Sequence, residues 1–439
     1  MANRLALFQF TFYLVLQIVS AGCHKNENQN FSPQYFKLDG LNRLLQLAAF
    51  DSQAAYIHYS ISKDGQLAPP NDCGIGSLED AARAALVYLR HADISDDTTS
   101  LASAKKLLTT ILHLQKPEGL FFDWLNAQGQ PALCNSDGVE GFGFPEVRAM
   151  WALAAGVKTF ESRDRRFAQK LREAFWQSFV HIDSCLANYG KFYEKSGRRF
   201  PQWLPYRSGA DAASELILAF EAILQSSLND SLQKQRLEIA MQQFAEGIQK
   251  MQAGSDDHFP FGAHLAFETY WHSWGNGAMQ ALAITGAKFD RRDFIESAII
   301  AAEHFVPYLQ EKQFVHRFNL LETQKNPERI DYFPQSPADI RPLVTGLIEL
   351  SRVTGNRRYA RRAGEIARWF RGENKAHEAV YMEKAGLAKD CIQGHNYVVP
   401  MLTAAATVEA LMAILEAENN RDSRKEFYVK VENVLEGKP

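Results

Sequence analysis

The chain has 439 residues, of which 46% are hydrophobic and 23% are charged, a balance typical of a globular protein with a large core. The formal net charge of −3 gives no support to nucleic acid as the main partner, because nucleic-acid-binding domains carry an excess of basic residues. Aromatic residues make up 12% of the chain, which suits either a packed core or contact with flat ligands such as sugar rings.

The first 23 residues have the pattern of a targeting segment. Arg4 precedes an apolar run over 5–19, which is short for a membrane span and fits a secretory signal peptide. The small residues before Cys23 look like a bacterial lipoprotein processing site, although Ser20 stands where that pattern prefers Leu. We therefore expect a signal peptide over 1–23 with lipidation of Cys23. Ordinary signal-peptide cleavage and an apolar N-terminus without secretion are the alternatives.

This prediction sets the expected domain organisation. Residues 24–36 form a polar tether, and residues 37–439 form a single domain. The protein is then secreted, or periplasmic or on the outer surface, and meets a membrane through its lipid anchor only. Four further cysteines match no zinc pattern, and the sequence does not choose between one disulfide and buried free thiols: Cys73, Cys134, Cys185 and Cys391.

Apolar residues recur with helical period through almost the whole chain. The pattern predicts an opening helix near 41–62, followed by six helical hairpins. We place their helices at 78–92 and 97–115, 145–157 and 164–188, 209–227 and 229–252, 267–285 and 289–310, 337–354 and 357–373, and 398–417 and 421–436.

The two helices of each pair differ in charge. The first is poor in charge, as in ADAASELILAFEAILQ, and the second is amphipathic, as in RRYARRAGEIARWF. Similar turns recur between them, with Gly156, Gly286 and Gly355 predicted just past a helix end. Six buried inner helices and six outer helices predict an all-α protein, an (α/α)6 toroid with an extra N-terminal helix.

The long connections predict where a site would lie. They run from each outer helix to the next inner helix, at about 116–144, 189–208, 253–266, 311–336 and 374–397. They should therefore gather at the end of the toroid where the inner helices begin. Long loops held on a rigid scaffold are commonly functional, so we expect a pocket at this end.

Acidic residues recur in the predicted first turns of the inner helices, and a pair of carboxylates is what glycosidic hydrolysis needs. A Ser stands three residues before Asp80, Asp211 and Asp339, which favours helix capping for these three. Glu268 has no such Ser and is predicted to share a helix face with His272. Proton transfer is one interpretation of that pair, and a polar pair beside two packed indoles is the other.

Two loops carry further candidates. Asp137 and Glu140 lie in a long Gly-rich loop, where the alternatives are an Asx turn and simple solvent exposure. Arg148 would bind a substrate carboxylate or form a salt bridge with a core acid. Asp331 and Tyr332 would contact a sugar or form a surface turn. The chain has no phosphate-binding loop, dinucleotide fingerprint or HExxH motif, so we predict no cofactor and no metal.

The six hairpins with long loops at one end resemble the six-hairpin glycosidase-like superfamily of (α/α)6 toroids. The stretch WHSWGNGAMQAL is similar to a W-G-N-G segment of some unsaturated-glucuronyl hydrolases in that superfamily. The stretches EVRAMWALAAG and VYMEKAGLAKDCI are more similar to uncharacterised toroid domains found near glycosyltransferases.

The resemblance implies a glycoside hydrolase that acts on an oligo- or polysaccharide. Glu268 would be the acid or base, partnered by Asp137 or Glu146. The residues expected to bind the sugar are Trp124, Arg148, Tyr270, His272, Trp274, Asp331 and Tyr332. One alternative is a polysaccharide lyase on the same scaffold, in which Tyr270, His272 and Arg148 do the work. The other is a non-catalytic glycan-binding lipoprotein.

Overall fold

The computed structural model describes residues 33–134, 141–326 and 329–431. Cys23, Asp137 and Glu140 lie outside these ranges, so the predictions made for them stay predictions.

Twelve helical segments alternate between an inner and an outer layer, which confirms the predicted (α/α)6 toroid. Each inner helix packs on its outer partner and on the next inner helix, and the last inner helix contacts the first, which closes the ring. The inner helices are Leu78–Ser95, Phe144–Phe160, Ala210–Leu224, Ala278–Phe289, Pro337–Thr354 and Ala404–Asn419.

The outer helices are amphipathic and cover this ring. Apolar side chains from both layers form one continuous core, so burial of apolar area holds the two layers together. The outer helices are Thr98–Leu114, Arg165–Leu186, Ser231–Lys250, Arg292–Ile300, Arg357–Ala367 and Arg421–Phe427. The fourth continues through a π-helical turn, Ala301–Phe305, into Val306–Glu311, and the fifth continues into a 3₁₀ turn, Arg368–Arg371. Two short helices, Asp39–Leu44 and Leu320–Lys325, lie outside the layers.

Short antiparallel strands fill the connections that lead to the inner helices. Two sheets have three strands: Gly76–Ser77, Trp124–Leu125 and Pro131–Ala132; and Tyr270–His272, Arg317–Asn319 and Ile330–Asp331. The remaining strands form pairs: Leu45–Leu47 with Ala55–Ile57, Ser60–Ile61 with Leu402–Thr403, Phe192–Lys195 with Arg198–Pro201, Gln252–Ala253 with Ala263–His264, Tyr381–Met382 with Leu387–Ala388, and Ile392–Gly394 with Tyr397–Val398.

The predicted opening helix is wrong beyond its first turns. The helix covers only Asp39–Leu44, and the chain then forms a hairpin of strands Leu45–Leu47 and Ala55–Ile57. The side chain of Asp51 accepts a hydrogen bond from the backbone N–H of Gln53 at 2.8 Å, which stabilises the turn of this hairpin. An Asp side chain that bonds its own backbone in this way favours a turn over a helix.

The helix predicted over 267–285 is also wrong at its start. It begins at Ala278, because residues 270–272 pair with residues 317–319 and Gly275 takes a left-handed φ of 66°. A Cβ at position 275 would lie 3.1 Å from the Phe144 ring, so this turn needs glycine on both counts. Glu268 therefore lies in a turn before the strand, and it shares no helix face with His272.

The three glycines of the recurring turn do not have one role. Gly355 ends its helix in the left-handed conformation, as expected. Gly156 and Gly286 instead lie inside the helices Phe144–Phe160 and Ala278–Phe289. A Cβ at Gly156 would come within 2.8 Å of side chains of Leu108 and Leu171, so the glycine there allows close helix packing.

Cys73 and Cys134 form a disulfide that joins two of the mouth connections, whereas Cys185 and Cys391 are free. Within the described ranges, no helix is long and apolar enough to span a membrane. No group of His, Cys, Asp or Glu side chains there has the arrangement of a metal site.

Candidate functional site

A chain of buried ion pairs fills the axis of the toroid. Its centre is Arg341, which contacts the carboxylate of Glu409 through Nε and that of Glu215 through Nη2 at 2.9 Å. These three side chains are at most 2% exposed. Each comes from a different inner helix, so the ion pairs link helices across the centre of the ring.

Two further arginines extend this chain in both directions. Arg83 contacts Glu409 at 2.6 Å and Asp80 at 2.9 Å. Arg148 contacts Glu215 at 3.0 Å and Glu79 at 2.9 Å. Because Glu79 and Asp80 are neighbours on one helix, the two ends of this series of ion pairs meet and form a closed ring. We call the seven residues the charge ring: Glu79, Asp80, Arg83, Arg148, Glu215, Arg341 and Glu409.

The pKa values of the carboxyl groups in the charge ring are shifted in different directions. Burial alone would raise the pKa of Glu409, but Arg341 and Arg83 hold that pKa at about 2, so the carboxylate stays ionised. Burial raises the pKa of Asp80, another carboxyl group of the charge ring.

The sequence analysis did not identify Glu79, Glu215 and Glu409 as members of a site. An isolated Glu within a charge-poor inner helix was the available signal, because buried carboxylates need a cationic partner.

Asp211 lies at the start of its inner helix and holds His272. Its carboxylate accepts hydrogen bonds from the Tyr206 hydroxyl and from the backbone N–H of Ala212, and its second oxygen lies 3.0 Å from Nε2 of His272. The helix begins after Gly209 without a side-chain cap. The capping box expected for Asp211 with Ser208 is absent, although Asp211 accepts the first-turn N–H of Ala212. Asp339 forms the expected capping box with Ser336. At Asp80 the backbone N–H donates to Ser77, and the carboxylate contacts Arg83 instead.

Both ring nitrogens of His272 have a polar partner. Nδ1 lies 2.8 Å from the carbonyl oxygen of Trp274, which can only accept, so this nitrogen carries a proton. Nε2 lies 3.0 Å from the carboxylate of Asp211. The indole of Trp274 stacks on the imidazole ring at 3.8 Å and 9°, so the His272 side chain is held in one orientation.

The same turn brings Trp274 to Arg148. The Trp274 indole packs against Phe144 at 5.5 Å, and the Arg148 guanidinium lies 4.7 Å from the centre of the Phe144 ring. Arg148 uses Nε and Nη1 for its ion pairs, so the salt bridge to core acids is the alternative that the structure contains. Its Nη2 donates to no described residue and lies 3.5 Å from where a Cβ of Gly275 would be. Two N–H donors therefore remain for a ligand.

A second histidine, His316, lies on the chain segment that pairs with the one carrying His272. Ser273 follows His272, and its backbone N–H and hydroxyl both lie 3.0 Å from the carbonyl oxygen of His316. Nδ1 of His316 is buried 3.4 Å from an oxygen of Asp339 but forms no hydrogen bond, and Nε2 makes none within the described part of the chain either. The side chain is 15% exposed.

Asp339 is fixed by its other contacts. Its carboxylate accepts hydrogen bonds from the hydroxyl of Ser273 and from the N–H and hydroxyl of Ser336, the last at 2.9 Å. The Ser336 contacts form a capping box at the start of Pro337–Thr354. A carboxylate held in this way places a negative charge beside the His316 ring, although no hydrogen bond joins the two.

Glu268 lies in a different environment from the one predicted. It is only 7% exposed, and its carboxylate contacts Lys195 Nζ and the Tyr193 hydroxyl, both on the hairpin 192–201. Its backbone N–H donates to the hydroxyl of Ser208. The ion pair with Lys195 joins the hairpin to the toroid and occupies the carboxylate. Its predicted catalytic role is not tested by this arrangement, but its pairing with His272 is absent.

Glu146 caps the helix on which Arg148 lies. Its carboxylate accepts a hydrogen bond from the backbone N–H of Gly143 at 3.0 Å, and the side chain is 6% exposed. Burial raises the pKa of this carboxyl from 4.5 to about 7. Trp124 lies at the mouth, in a strand that pairs with Ser77 at the start of the first inner helix.

The remaining predicted sugar contacts lie on the rim. Tyr270 is 47% exposed. Asp331 is exposed and forms an ion pair with Arg317 at 2.7 Å. The Tyr332 ring lies under the ammonium group of Lys375 at 4.7 Å. The structure thus brings Arg148, His272 and Trp274 together and places Tyr270 on the same strand, whereas Glu268 and Tyr332 have other neighbours.

Two surface cavities lie outside this cluster. One of about 250 Å³ is lined by Arg357, Asn420, Arg421, Asp422 and Lys425, at the end opposite the mouth. Another of about 220 Å³ is bordered by Leu47, Tyr56, Ile75 and Leu125. Neither contains the histidines.

No protein-family model matches the chain, and no curated protein matches its sequence. Solved structures do match its fold. A cellobiose 2-epimerase from Spirochaeta thermophila has a TM-score of 0.61 at 14% identity, over 88% of this chain and 94% of that chain. A sugar epimerase from a ruminal bacterium has 0.58 at 13% identity, over 83% and 93%. A D-mannose isomerase has 0.57 at 11% identity, over 86% and 95%. The similarity shows a shared toroid fold.

Proposed function

We propose that the protein is an enzyme that acts on a saccharide by proton transfer at His316. The observation that carries this proposal is the geometry of that side chain. Nδ1 lies 3.4 Å from the buried carboxylate of Asp339 without forming a hydrogen bond, and Nε2 has no hydrogen bond to the described residues either. A partly exposed histidine beside a buried carboxylate, with its ring nitrogens free of protein hydrogen bonds, is suited to exchange a proton with a ligand.

The neighbouring groups suit the charge that such a step creates. Removal of the proton next to the carbonyl of an open-chain sugar by Nε2 of His316 leaves an enediolate. The Nη2 group of Arg148, which donates to no described residue, would stabilise its negative charge. Return of the proton to the same carbon on the other face gives an epimer, and return to the adjacent carbon gives an isomer. The sugar gains and loses no atoms, so no co-reactant is needed.

The fold comparisons support this choice of chemistry. The similar structures are named as epimerases and an isomerase of sugars, and this chain covers 93–95% of the length of each. The carboxylates of the described mouth also support it, because each is already bonded. Asp211 bonds to His272, Asp339 bonds to Ser273 and Ser336, Glu146 caps a helix and Glu268 is paired with Lys195.

A glycoside hydrolase is the second candidate, and one observation favours it. Glu146 has a pKa raised to about 7, which suits a general acid. Its partner would have to be a free carboxylate, and Asp137 on the adjoining loop is the sequence candidate. A lyase would use the same histidines on a uronate.

One experiment separates these reactions. Wild type is incubated in D2O with a panel of reducing sugars, uronate-containing oligosaccharides and polysaccharides. Deuterium at the carbon beside the carbonyl indicates isomerisation or epimerisation, new reducing ends indicate hydrolysis, and ultraviolet absorbance indicates a lyase. We expect deuterium exchange, and His316→Gln should lower its rate by roughly 10²- to 10⁴-fold.

The matched control is His181→Gln. His181 is an exposed residue on an outer helix, with Nε2 2.9 Å from the carbonyl oxygen of Glu118. It should leave the exchange rate unchanged. New reducing ends without deuterium exchange, unaffected by His316→Gln but abolished by Glu146→Gln, would instead support the hydrolase.

We also propose secretion with lipidation at Cys23. The disulfide between Cys73 and Cys134 supports an oxidising compartment, because such bonds are rare in the cytosol. In a bacterial host, the wild-type chain should incorporate labelled palmitate and Cys23→Ser should not. Equal labelling of the two would exclude this anchor.

A further inference from the structure

The sheet at the mouth has two chemically different faces. Its strands are Tyr270–His272, Arg317–Asn319 and Ile330–Asp331, which we call the mouth sheet. One face carries Trp271, stacked on Phe318 at 5.2 Å and packed against Phe305 of the outer layer. That face is buried. Because side chains alternate along a strand, the neighbouring residues lie on the other face.

The other face continues directly from the candidate site. It carries His272, and Tyr270 lies two residues away on the same strand, roughly 7 Å along it. In the register of the sheet, Arg317 is opposite His272, Asn319 is opposite Tyr270, and Asp331 is opposite Arg317. The outermost of these, Asp331, is two strand spacings or roughly 10 Å from His272.

These side chains offer the contacts that sugar units use. Tyr270 presents an exposed aromatic ring, and its backbone is fixed by hydrogen bonds to Ala266 and Phe267. Arg317 donates to Asp331 through Nε only. The terminal N–H groups of Arg317 and one carboxylate oxygen of Asp331 are therefore without a described partner. The two charges neutralise each other, so the pair suits hydroxyl groups better than a carboxylate. Asn319 adds an amide N–H₂.

We infer that this face of the mouth sheet binds the sugar units adjacent to the reacting unit, and that the substrate is therefore an oligosaccharide or a longer neutral glycan. The inference rests on the proposed function, which places the reacting unit at the mouth. It assigns new roles to Arg317 and Asn319. It also assigns to Tyr270 a stacking role outside the chemical step.

Binding is measured by calorimetry with cello-, malto- and manno-oligosaccharides of one to four units. For one series, wild type should bind the three-unit sugar at least tenfold more tightly than the single sugar. Tyr270→Ala should reduce that gain by roughly three- to tenfold, while Tyr270→Phe, which keeps the ring, should retain it. Leu232→Ala changes an exposed residue on an outer helix and serves as the control.

The outcomes separate this inference from the proposed function. Length-dependent binding that requires Tyr270, without turnover, supports the inference and contradicts the proposed enzyme. Turnover of single sugars, with no gain in affinity from added units, overturns the inference and keeps the enzyme. Binding that rises with length equally in wild type and Tyr270→Ala places the extra units elsewhere and also overturns it.

Discussion

Ionisation of the buried Glu146 carboxyl group lowers the stability of the folded protein. Burial raises its pKa from 4.5 in the unfolded chain to about 7 in the folded protein. The stabilisation that depends on its proton is therefore complete below pH 4.5 and is lost as pH rises through 7. Its hydrogen bond from Gly143 needs only an acceptor oxygen, which a neutral amide also provides.

We expect Glu146→Gln to leave the free energy of unfolding nearly unchanged at pH 5 and to raise it by about 2–3 kcal/mol at pH 8, relative to wild type. Urea unfolding at the two pH values measures the difference. Glu118→Gln, at an exposed position, should have no such pH dependence. Equal effects of Glu146→Gln at both pH values would contradict the raised pKa.

At the same scale, residue types near the mouth could be predicted from the sequence, but their partners could not. Arg148, His272 and Trp274 were expected around the site, and they lie together. The pairing of Glu268 with Lys195 depends on a hairpin distant in sequence, so local spacing carried no signal for it. His316 belongs to no motif in the sequence, and its proximity to Asp339 depends on the folded structure.

At the scale of elements, the end of the helix Pro337–Thr354 gives a clean test of local backbone preference. Gly355 has a φ of 71°, and its N–H donates to the carbonyl oxygen of Ser351 at 2.9 Å. An added Cβ would meet nothing within 4 Å, so a substitution changes backbone energy and little else.

We expect Gly355→Ala to lower the free energy of unfolding by about 1–2 kcal/mol, because the left-handed conformation is unfavourable for residues with a Cβ. Gly355→Asn should cost less, since Asn tolerates this conformation. Denaturant titrations of the three proteins provide the comparison. If Ala and Asn had equal effects, the φ angle would not be the cause.

Helices and mouth strands differ in how far they could be predicted. The hairpins follow from apolar period and charge within short windows, and most predicted bounds are close to those observed. The helices predicted over 267–285 and 398–417 begin later, at Ala278 and Ala404, and the helix predicted over 421–436 ends at Phe427. The strand Tyr270–His272 pairs with Arg317–Asn319, far along the chain, so the apolar and polar pattern around Trp271 was interpreted as helix. The glycine at position 275 was the overlooked sign of a break.

At the scale of the whole molecule, the charge ring couples five of the six inner helices. Replacement of Arg341 by Met would leave Glu215 and Glu409 buried with fewer cations. Removing one partner of a buried ion pair typically costs 3–5 kcal/mol. Because the pKa of Glu409 is held at about 2, its stabilisation is present above pH 4.5 and is lost as pH falls through 2.

We expect Arg341→Met to lower the free energy of unfolding at pH 7 by about 3–5 kcal/mol. The triple variant Arg341→Met, Glu215→Gln, Glu409→Gln should recover part of that loss, because no uncompensated carboxylate remains at this point of the ring. Thermal and urea unfolding report both values. A triple variant as unstable as, or less stable than, Arg341→Met would mean that packing outweighs the charges.

The charge ring also limits passage through the molecule. Its side chains are buried and bonded to one another between five inner helices, so the centre of the described toroid is filled and offers no open channel from one end to the other. A saccharide bound at the proposed site would therefore enter and leave at the mouth.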